Sequence, residues 1–194
     1  MARIAIIQGH PDDRGNRFGH ALAAAYAMGA ADAGHEARTI DVARLDFPLL
    51  RTKEAWETAT PPEPLAGAQR TIGWAEHLVI LFPLWLGTMP ALLKAFLEQV
   101  LRPGFAVGTS EGGKGWTRGL GGRSARIVVT MGMPAVVYRW YFRAHGVRGL
   151  ERSILRFCGI APIRETLIGR VESIDARARE RWLARLRDLG RKAA

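Results

Sequence analysis

Cysteine is almost absent: Cys158 stands alone among 194 residues, so no disulfide can form within the chain. A lone thiol suits a reducing cytoplasm, the compartment expected here, and Cys158 reads as a small buried hydrophobe. No apolar run reaches the roughly 20 residues that a spanning helix needs. The start, Met1-Ala2-Arg3-Ile4, enters a strand-like run and lacks a signal peptide's layout. Neither Gly-x-x-x-x-Gly-Lys-Ser/Thr nor Gly-x-Gly-x-x-Gly occurs, which weakens nucleoside triphosphate and ordinary dinucleotide-binding readings. No nucleic-acid-binding motif accompanies the net charge of +10, and no metal site is expected.

Apolar residues make up 48% of the chain and charged residues 24%, values that fit one globular domain spanning 1–194. The positive charge suits anionic small molecules or an anionic membrane face. Seven basic residues fall between Arg177 and Lys192, interleaved with acids and with Trp182, Leu183, Leu186 and Leu189. That pattern reads as a solvated helix face over an apolar stripe.

Along the chain, strands and helices alternate. Arg3–Gln8 is a compact apolar strand. A turn-rich stretch follows, then a helix with Phe18, Leu22 and Tyr26 on its stripe, ended by Gly34. Residues 36–42 predict a second strand. The connection 43–64, with Pro48, Pro61, Pro62 and Pro64, is long enough to suggest a function. A short helix over 65–76 leads to a third, bare apolar strand over 77–82. Pro90 is expected at the first helical position of the next helix, which runs to about Leu101. The Gly-rich residues 102–122 predict a mobile excursion with a small hairpin. Ser124–Thr130 is a fourth strand, a helical region reaches Phe157 and closes at Gly159, and Ile163–Ile168 is a fifth strand. Ser173 is expected to cap the last helix and Gly190 to end it.

Five such alternations predict an α/β protein: a doubly wound, five-stranded parallel sheet of order 2-1-3-4-5 with helices on both faces. Its ligand edge gathers the turns after strands 1, 3 and 4. The first holds Arg14, Gly15, Asn16, Arg17 and Phe18 ahead of a helix N-terminus, a natural anion site. The second sets Trp85 between Leu84 and Leu86, as an apolar wall. The third brings Thr130, Gly132 and the aromatics from Tyr138 to Phe142, followed by His145. Phosphate donors, an apolar wall and polar groups in three converging turns suit a flavin nucleotide. His20, His35 and His77 fit none of these turns.

The stretch Phe82-Pro83-Leu84-Trp85-Leu86-Gly87-Thr88-Met89-Pro90-Ala91-Leu92-Leu93-Lys94 and the later Arg102-Pro103-Gly104-Phe105-Ala106 resemble the DT-diaphorase-like NAD(P)H:quinone oxidoreductases of flavodoxin-like fold. Gly9-His10 and Phe157-Cys158-Gly159 match as well. The resemblance implies an enzyme that reduces quinones or related acceptors by two electrons in a ping-pong cycle, with NAD(P)H as reductant. By position, His10 and the turn from Arg14 to Phe18 would hold the flavin phosphate. Pro83, Leu84, Trp85 and Leu86 would line the ring edge, with Thr130, Gly132 and Tyr138 opposite. His145 and a tyrosine neighbour, Tyr141 or Tyr138, would attend the acceptor. The segment Asp175-Ala176-Arg177 resembles one that contacts the distal nucleotide in FAD-binding relatives, which tilts the expectation from FMN to FAD. A homodimer is implied, because family sites are completed by a second subunit. The competing readings are an ancillary flavoprotein of a membrane transporter, with peripheral membrane association, and a flavodoxin-type carrier; nucleic acid is not an expected partner.

Overall fold

In the computed structural model, which describes residues 1–58, 60–109 and 115–194, the five expected parallel strands form one sheet. The chain begins with β1 (Arg3–Gln8), α1 (Phe18–Asp32) and β2 (Glu36–Asp41). A single 3-10 turn over Val42–Arg44 leads to α2 (Lys53–Thr58) and α3 (Glu63–Trp74). The central strand β3 (His77–Pro83) is followed by α4 (Ala91–Val100) and the hairpin strands β4 (Val107–Thr109) and β5 (Trp116–Arg118). Then come β6 (Ser124–Thr130), α5 (Ala135–Trp140), α6 (His145–Gly149), a π-helical piece over Leu150–Leu155, β7 (Ile163–Ile168) and α7 (Ala176–Arg191). The sheet order is β2-β1-β3-β6-β7, all parallel, which is the expected 2-1-3-4-5.

Strand β3 carries no alternation because both its faces are covered, as parallel strands require. Leu78, Ile80 and Phe82 enter the core shared with α3 and α4, while Val79 and Leu81 enter the core shared with α1 and α7. The connection 43–64 contains α2 and is tied down rather than loose. Gln99 Nε2 donates to Pro48 O at 2.6 Å, and Arg102 Nη1 donates to Ala55 O at 3.0 Å. The excursion over 102–122 does hold an antiparallel hairpin, β4 with β5; its residues 110–114, where mobility was expected, lie outside the described residues.

Three sequence expectations are corrected at helix ends. Pro90 stands at the N-cap of α4, with ψ of 147°, one residue before the helix proper. Ser173 does not cap α7; its hydroxyl turns back to Arg170 O, and the Asp175 carboxylate accepts from Ala178 N at 2.6 Å instead. Gly190 lies inside α7, which continues to Arg191. A Cβ there would sit 2.1 Å from Tyr26 O, so its task is a close crossing of α7 over α1. By contrast Gly34, at φ +73°, does adopt the left-handed geometry of a helix stop. The basic face of α7 is solvated as expected, with Arg187 and Arg191 both paired to Asp32.

His77 opens β3 and is buried, its ring stacked near Tyr26. Burial first, then Arg126 and Arg164, push its imidazole from 6.5 down to about 4. Between those values the unfolded chain binds the proton and the native chain does not, so stability falls as pH falls. A loss of about 3 kcal/mol between pH 7 and pH 4 is expected from this group. Urea unfolding across that range, compared with His77→Gln, would read it; an unchanged slope in the variant would assign the loss to other groups.

Candidate functional site

The turns after β1, β3 and β6 do meet at the carboxyl edge of the sheet. The first leaves β1 at Gly9, whose amide donates to Leu81 O at 2.7 Å. A Cβ on Gly9 would lie 2.6 Å from Leu93, so the chain passes hard against α4. His10 N donates to Gln8 Oε1, and His10 Nδ1 accepts from Asp12 N at 3.0 Å. The Asp12 carboxylate takes Arg14 Nη2 at 2.6 Å and Arg17 Nε at 2.7 Å, and these bonds hold it far below the usual carboxylate range. The two arginines expected to stand free for an anion are thus drawn together by one carboxylate. Gly15, at φ +72°, makes the turn that brings the chain into α1. That helix has neither a side-chain cap nor an acid in its first turn, so its leading amides are unmatched.

His20 belongs to this site, contrary to its dismissal from sequence. Its ring lies 5.3 Å from that of His10, and both its nitrogens are buried without a hydrogen-bond partner. Gln8 Nε2 is orphaned likewise. Burial and His20 together depress the His10 imidazole. The Arg179 guanidinium sits 5.2 Å over the Phe18 ring and donates to Val171 O. It lines a hollow of about 560 Å³ with Gly15, Asn16, Arg17, Phe18 and His20. Arg177 is exposed, and two residues along a helix place it on a different side from Arg179. The arginine turned toward the first turn is therefore Arg179, and the expected role of Arg177 has no geometric support.

The second turn is a two-residue hairpin closed by Trp85 N to Thr88 O at 2.9 Å and Thr88 N to Trp85 O at 3.0 Å. Leu86 at φ +47° and Gly87 at φ +82° give it the primed twist, which Leu86 adopts at a steric cost. Trp85 is half exposed and Leu86 wholly so; neither is core. The indole meets the His10 ring edge-on at 6.3 Å, joining the first turn to the second. Leu84 N donates to Thr130 O at 2.8 Å, joining the second to the third. Pro83 closes β3 beside Thr130.

The third turn is anchored beneath by Met131, which is buried, and leaves Gly132 exposed; the Thr130 side chain is itself nearly buried. Tyr138 is not in the open. It is 1% exposed, its hydroxyl donates to Gly87 O at 3.0 Å, and it accepts from Val147 N at 3.2 Å. It fixes the Trp85 turn to α6 instead of facing a ligand. Tyr141 is exposed and packs edge-on against Phe142. Arg143 and Ala144 both have positive φ, at +53° and +50°, a strained pair immediately before His145. His145 then lines a cleft of about 930 Å³ with Trp85, Thr88, Lys94, Leu150 and Ile154. Part of that wall is the π-helical piece, a form common at functional sites. Cys158 is buried, its thiol pushed up to about 11, so it is inert here.

These features define a flavodoxin-like protein with an anion-ready helix terminus and an aromatic turn at the switch point of its sheet. The family described as Flavodoxin-like fold matches residues 2–189, and the chain belongs to it. An NAD(P)H:quinone oxidoreductase from Methanothermobacter marburgensis superposes with a TM-score of 0.80 at 24% identity, covering 100% of this chain and 99% of that one. An FMN-dependent NADH-azoreductase from Bacillus anthracis, in complex with FMN, gives 0.77 at 16% identity over 100% of both chains. At these identities the likeness is one of fold. An uncharacterized NAD(P)H oxidoreductase of Haemophilus influenzae is 26% identical over 179 residues, 90% of this chain and 87% of its own. The ribosyldihydronicotinamide dehydrogenase-like protein traD of Penicillium crustosum is 30% identical over 118 residues, 58% of this chain. That match spans only 42% of the fungal protein.

Proposed function

We propose that this protein is a flavin-dependent NAD(P)H:quinone oxidoreductase that reduces quinones or related acceptors by two electrons in a ping-pong cycle. The observation that carries this reading is the convergence of an uncapped helix N-terminus and a half-exposed indole beside a cleft of about 930 Å³. The printed activities of the Methanothermobacter, Bacillus and Haemophilus proteins support it.

The residues fit a flavin nucleotide. The orphaned nitrogens of His20 and Gln8 lie beside the helix terminus, where a phosphate and ribityl chain would need donors. FMN is favoured over FAD, because the expectation of FAD rested on Arg177 and that residue is exposed away from the first turn; the Bacillus structure, described with FMN, points the same way. Bound flavin supplies the two-electron exchange between nicotinamide and acceptor. The chain's own residues do the rest. The turn from Arg14 to Phe18, with His10, His20 and Arg179, holds the anion. The backbone of Pro83 to Leu86 and the Trp85 indole wall the ring, with Thr130 and Gly132 opposite. Tyr138 keeps the Trp85 turn rigid. His145, and Tyr141 near it in sequence, offer hydrogen bonds to an acceptor oxygen as negative charge grows there.

A homodimer is part of the proposal. Trp140 and Tyr141 are more than three-quarters exposed, and Leu86, Val136 and Phe142 are exposed too, apolar surface that a second subunit would cover. No helix among the described residues is long and apolar enough to cross a membrane. Operation in the cytoplasm, where NAD(P)H is available, belongs to the same reading.

The absorbance spectrum of purified protein, with mass analysis of the released cofactor, tests the proposal. Flavin absorbance and the mass of FMN are expected, with steady-state NAD(P)H oxidation when a quinone is added. A carrier of the flavodoxin type would show no such turnover without a reductase, and a chain that neither carries nor takes up flavin would sink the reading. His145→Ala is expected to lower kcat/KM for the quinone by roughly 10-fold or more with flavin retained. Unchanged turnover would remove His145 from the mechanism.

A further inference from the structure

The amino end of the sheet, opposite the cleft, holds a second concentration of unmatched positive charge. Here β3, β6 and β7 begin and the end of α7 returns beneath them. A cavity of about 250 Å³ lies between them, lined by His77, Ser124, Arg164, Lys192 and Ala194 among others. His77 is 5% exposed; its Nδ1 meets Ser124 Oγ at 2.7 Å, and its Nε2 is buried with no hydrogen-bond partner.

Arg126 stands beside it, 6% exposed. Its Nε donates to Ala194 O and its Nη1 to Thr166 Oγ1 at 2.8 Å, and neither acceptor is a side-chain carboxylate. The charged groups that bear on Arg126 are Arg164 and Arg185, with the Tyr26 phenol the one group of opposite sense. Arg164 is exposed at the rim and makes no ion pair among the described residues. Lys192 is turned to Asp188 at 2.7 Å, the one carboxylate side chain found at this rim. A guanidinium taken out of water without a counter-charge is costly, and removing that cost requires an anion. Donors surround the space: a guanidinium at the rim, another in the wall, a hydroxyl and an imidazole nitrogen.

We propose that this cavity binds a small tetrahedral oxyanion of the phosphate or sulfate class, held by Arg164, Arg126, His77 and Ser124. The space admits such an ion with a few waters and is below the usual size of a site for larger ligands, about 300 Å³ and upward. The bound ion would tie the end of α7 to the start of β6, so its binding is read as stability as well as heat.

The test uses flavin-saturated protein, so that the helix terminus at the other edge of the sheet is already filled. Inorganic phosphate and sulfate are titrated at constant ionic strength against chloride, by calorimetry and by thermal melting. One saturable site is expected for both oxyanions, with a rise in melting temperature that chloride does not give. AMP, too large for the cavity, is expected to bind at least tenfold more weakly there. Arg164→Gln, a rim change that leaves the fold intact, is expected to weaken phosphate binding at least tenfold, and Arg152→Gln, elsewhere on the surface, to leave it unchanged. In wild-type protein the His77 imidazole resonances should shift with phosphate along the same isotherm. No saturable response up to the order of 10 mM would mean that the charge is met from within the chain, and would overturn the proposal. So would equal binding by Arg164→Gln. Neither outcome bears on flavin-dependent turnover, which is measured separately.

Discussion

Gly146→Ala is expected to lower quinone reduction by on the order of 100-fold in a chain that still folds. A Cβ at this position would lie 2.3 Å from Gly87 O and 2.7 Å from Thr88 Cα. Both are backbone atoms, so no side chain can swing aside. Either α6 or the Trp85 turn must move, and both are walls of the cleft. Tyr138 makes matters worse, because its hydroxyl bridges Gly87 O and Val147 N and would be pulled from both sides. Displacement of about 1 Å is enough to spoil the alignment of reacting groups. Gly149→Ala is the matched control, since a Cβ there meets nothing within 4 Å although the residue lines the same cleft. Steady-state kcat/KM, flavin affinity and far-ultraviolet circular dichroism on the two variants would settle it. Wild-type turnover in Gly146→Ala would refute the claim that this contact sets the cleft.

Gly29→Ala is the second large effect, and it acts on stability. A Cβ at Gly29 would fall 1.9 Å from Arg187 O, and one at Gly190 would fall 2.1 Å from Tyr26 O. The two glycines let α1 and α7 approach backbone to backbone and bury Tyr26, Ala30 and Leu186 between them. Forcing the helices apart is expected to cost about 3 kcal/mol. For a chain of this size that lowers Tm by roughly 6–12 °C. Gly67→Ala should have the opposite sign. Gly67 lies within α3, where a Cβ meets only the end of the Arg70 side chain at 3.6 Å. A gain of about 0.4–1 kcal/mol is expected there from the stiffer unfolded chain. Thermal and urea melts read both variants, and a Gly29→Ala protein melting with the wild type would show that the crossing relaxes freely.

The contrast among these glycines shows where sequence reasoning stops. Gly34, Gly67, Gly146 and Gly190 carry the same symbol. Gly34 ends α1 by a conformation that belongs to its own few residues, and this was legible. Gly190 looked like a second helix stop in the same way, yet it serves a partner helix far away along the chain. Histidines divide similarly. His10 announced itself by following β1 in a turn, whereas His20 faces it only because α1 folds back over the strand. Arg177 and Arg179 differ by two places; which of them meets Phe18 depends on the rotation of α7 about its axis against α1. Tyr138 and Tyr141 were interchangeable in sequence, and the fold buries the first under the Trp85 turn and leaves the second in the open.

The sequence by itself determined the strand and helix alternation, the order of the sheet and the three turns at its ligand edge. Those features follow from periodicity, turn chemistry and the handedness of crossovers, all of which act within one or two neighbouring elements. The tertiary structure alone decided which side chains face those turns. It paired Arg14 and Arg17 through Asp12, chose Arg179 over Arg177, brought His20 to His10 and withdrew Tyr138 from the cleft. Each of these depends on how distant segments rotate and press against one another, and close packing leaves them one arrangement in which the backbones clear.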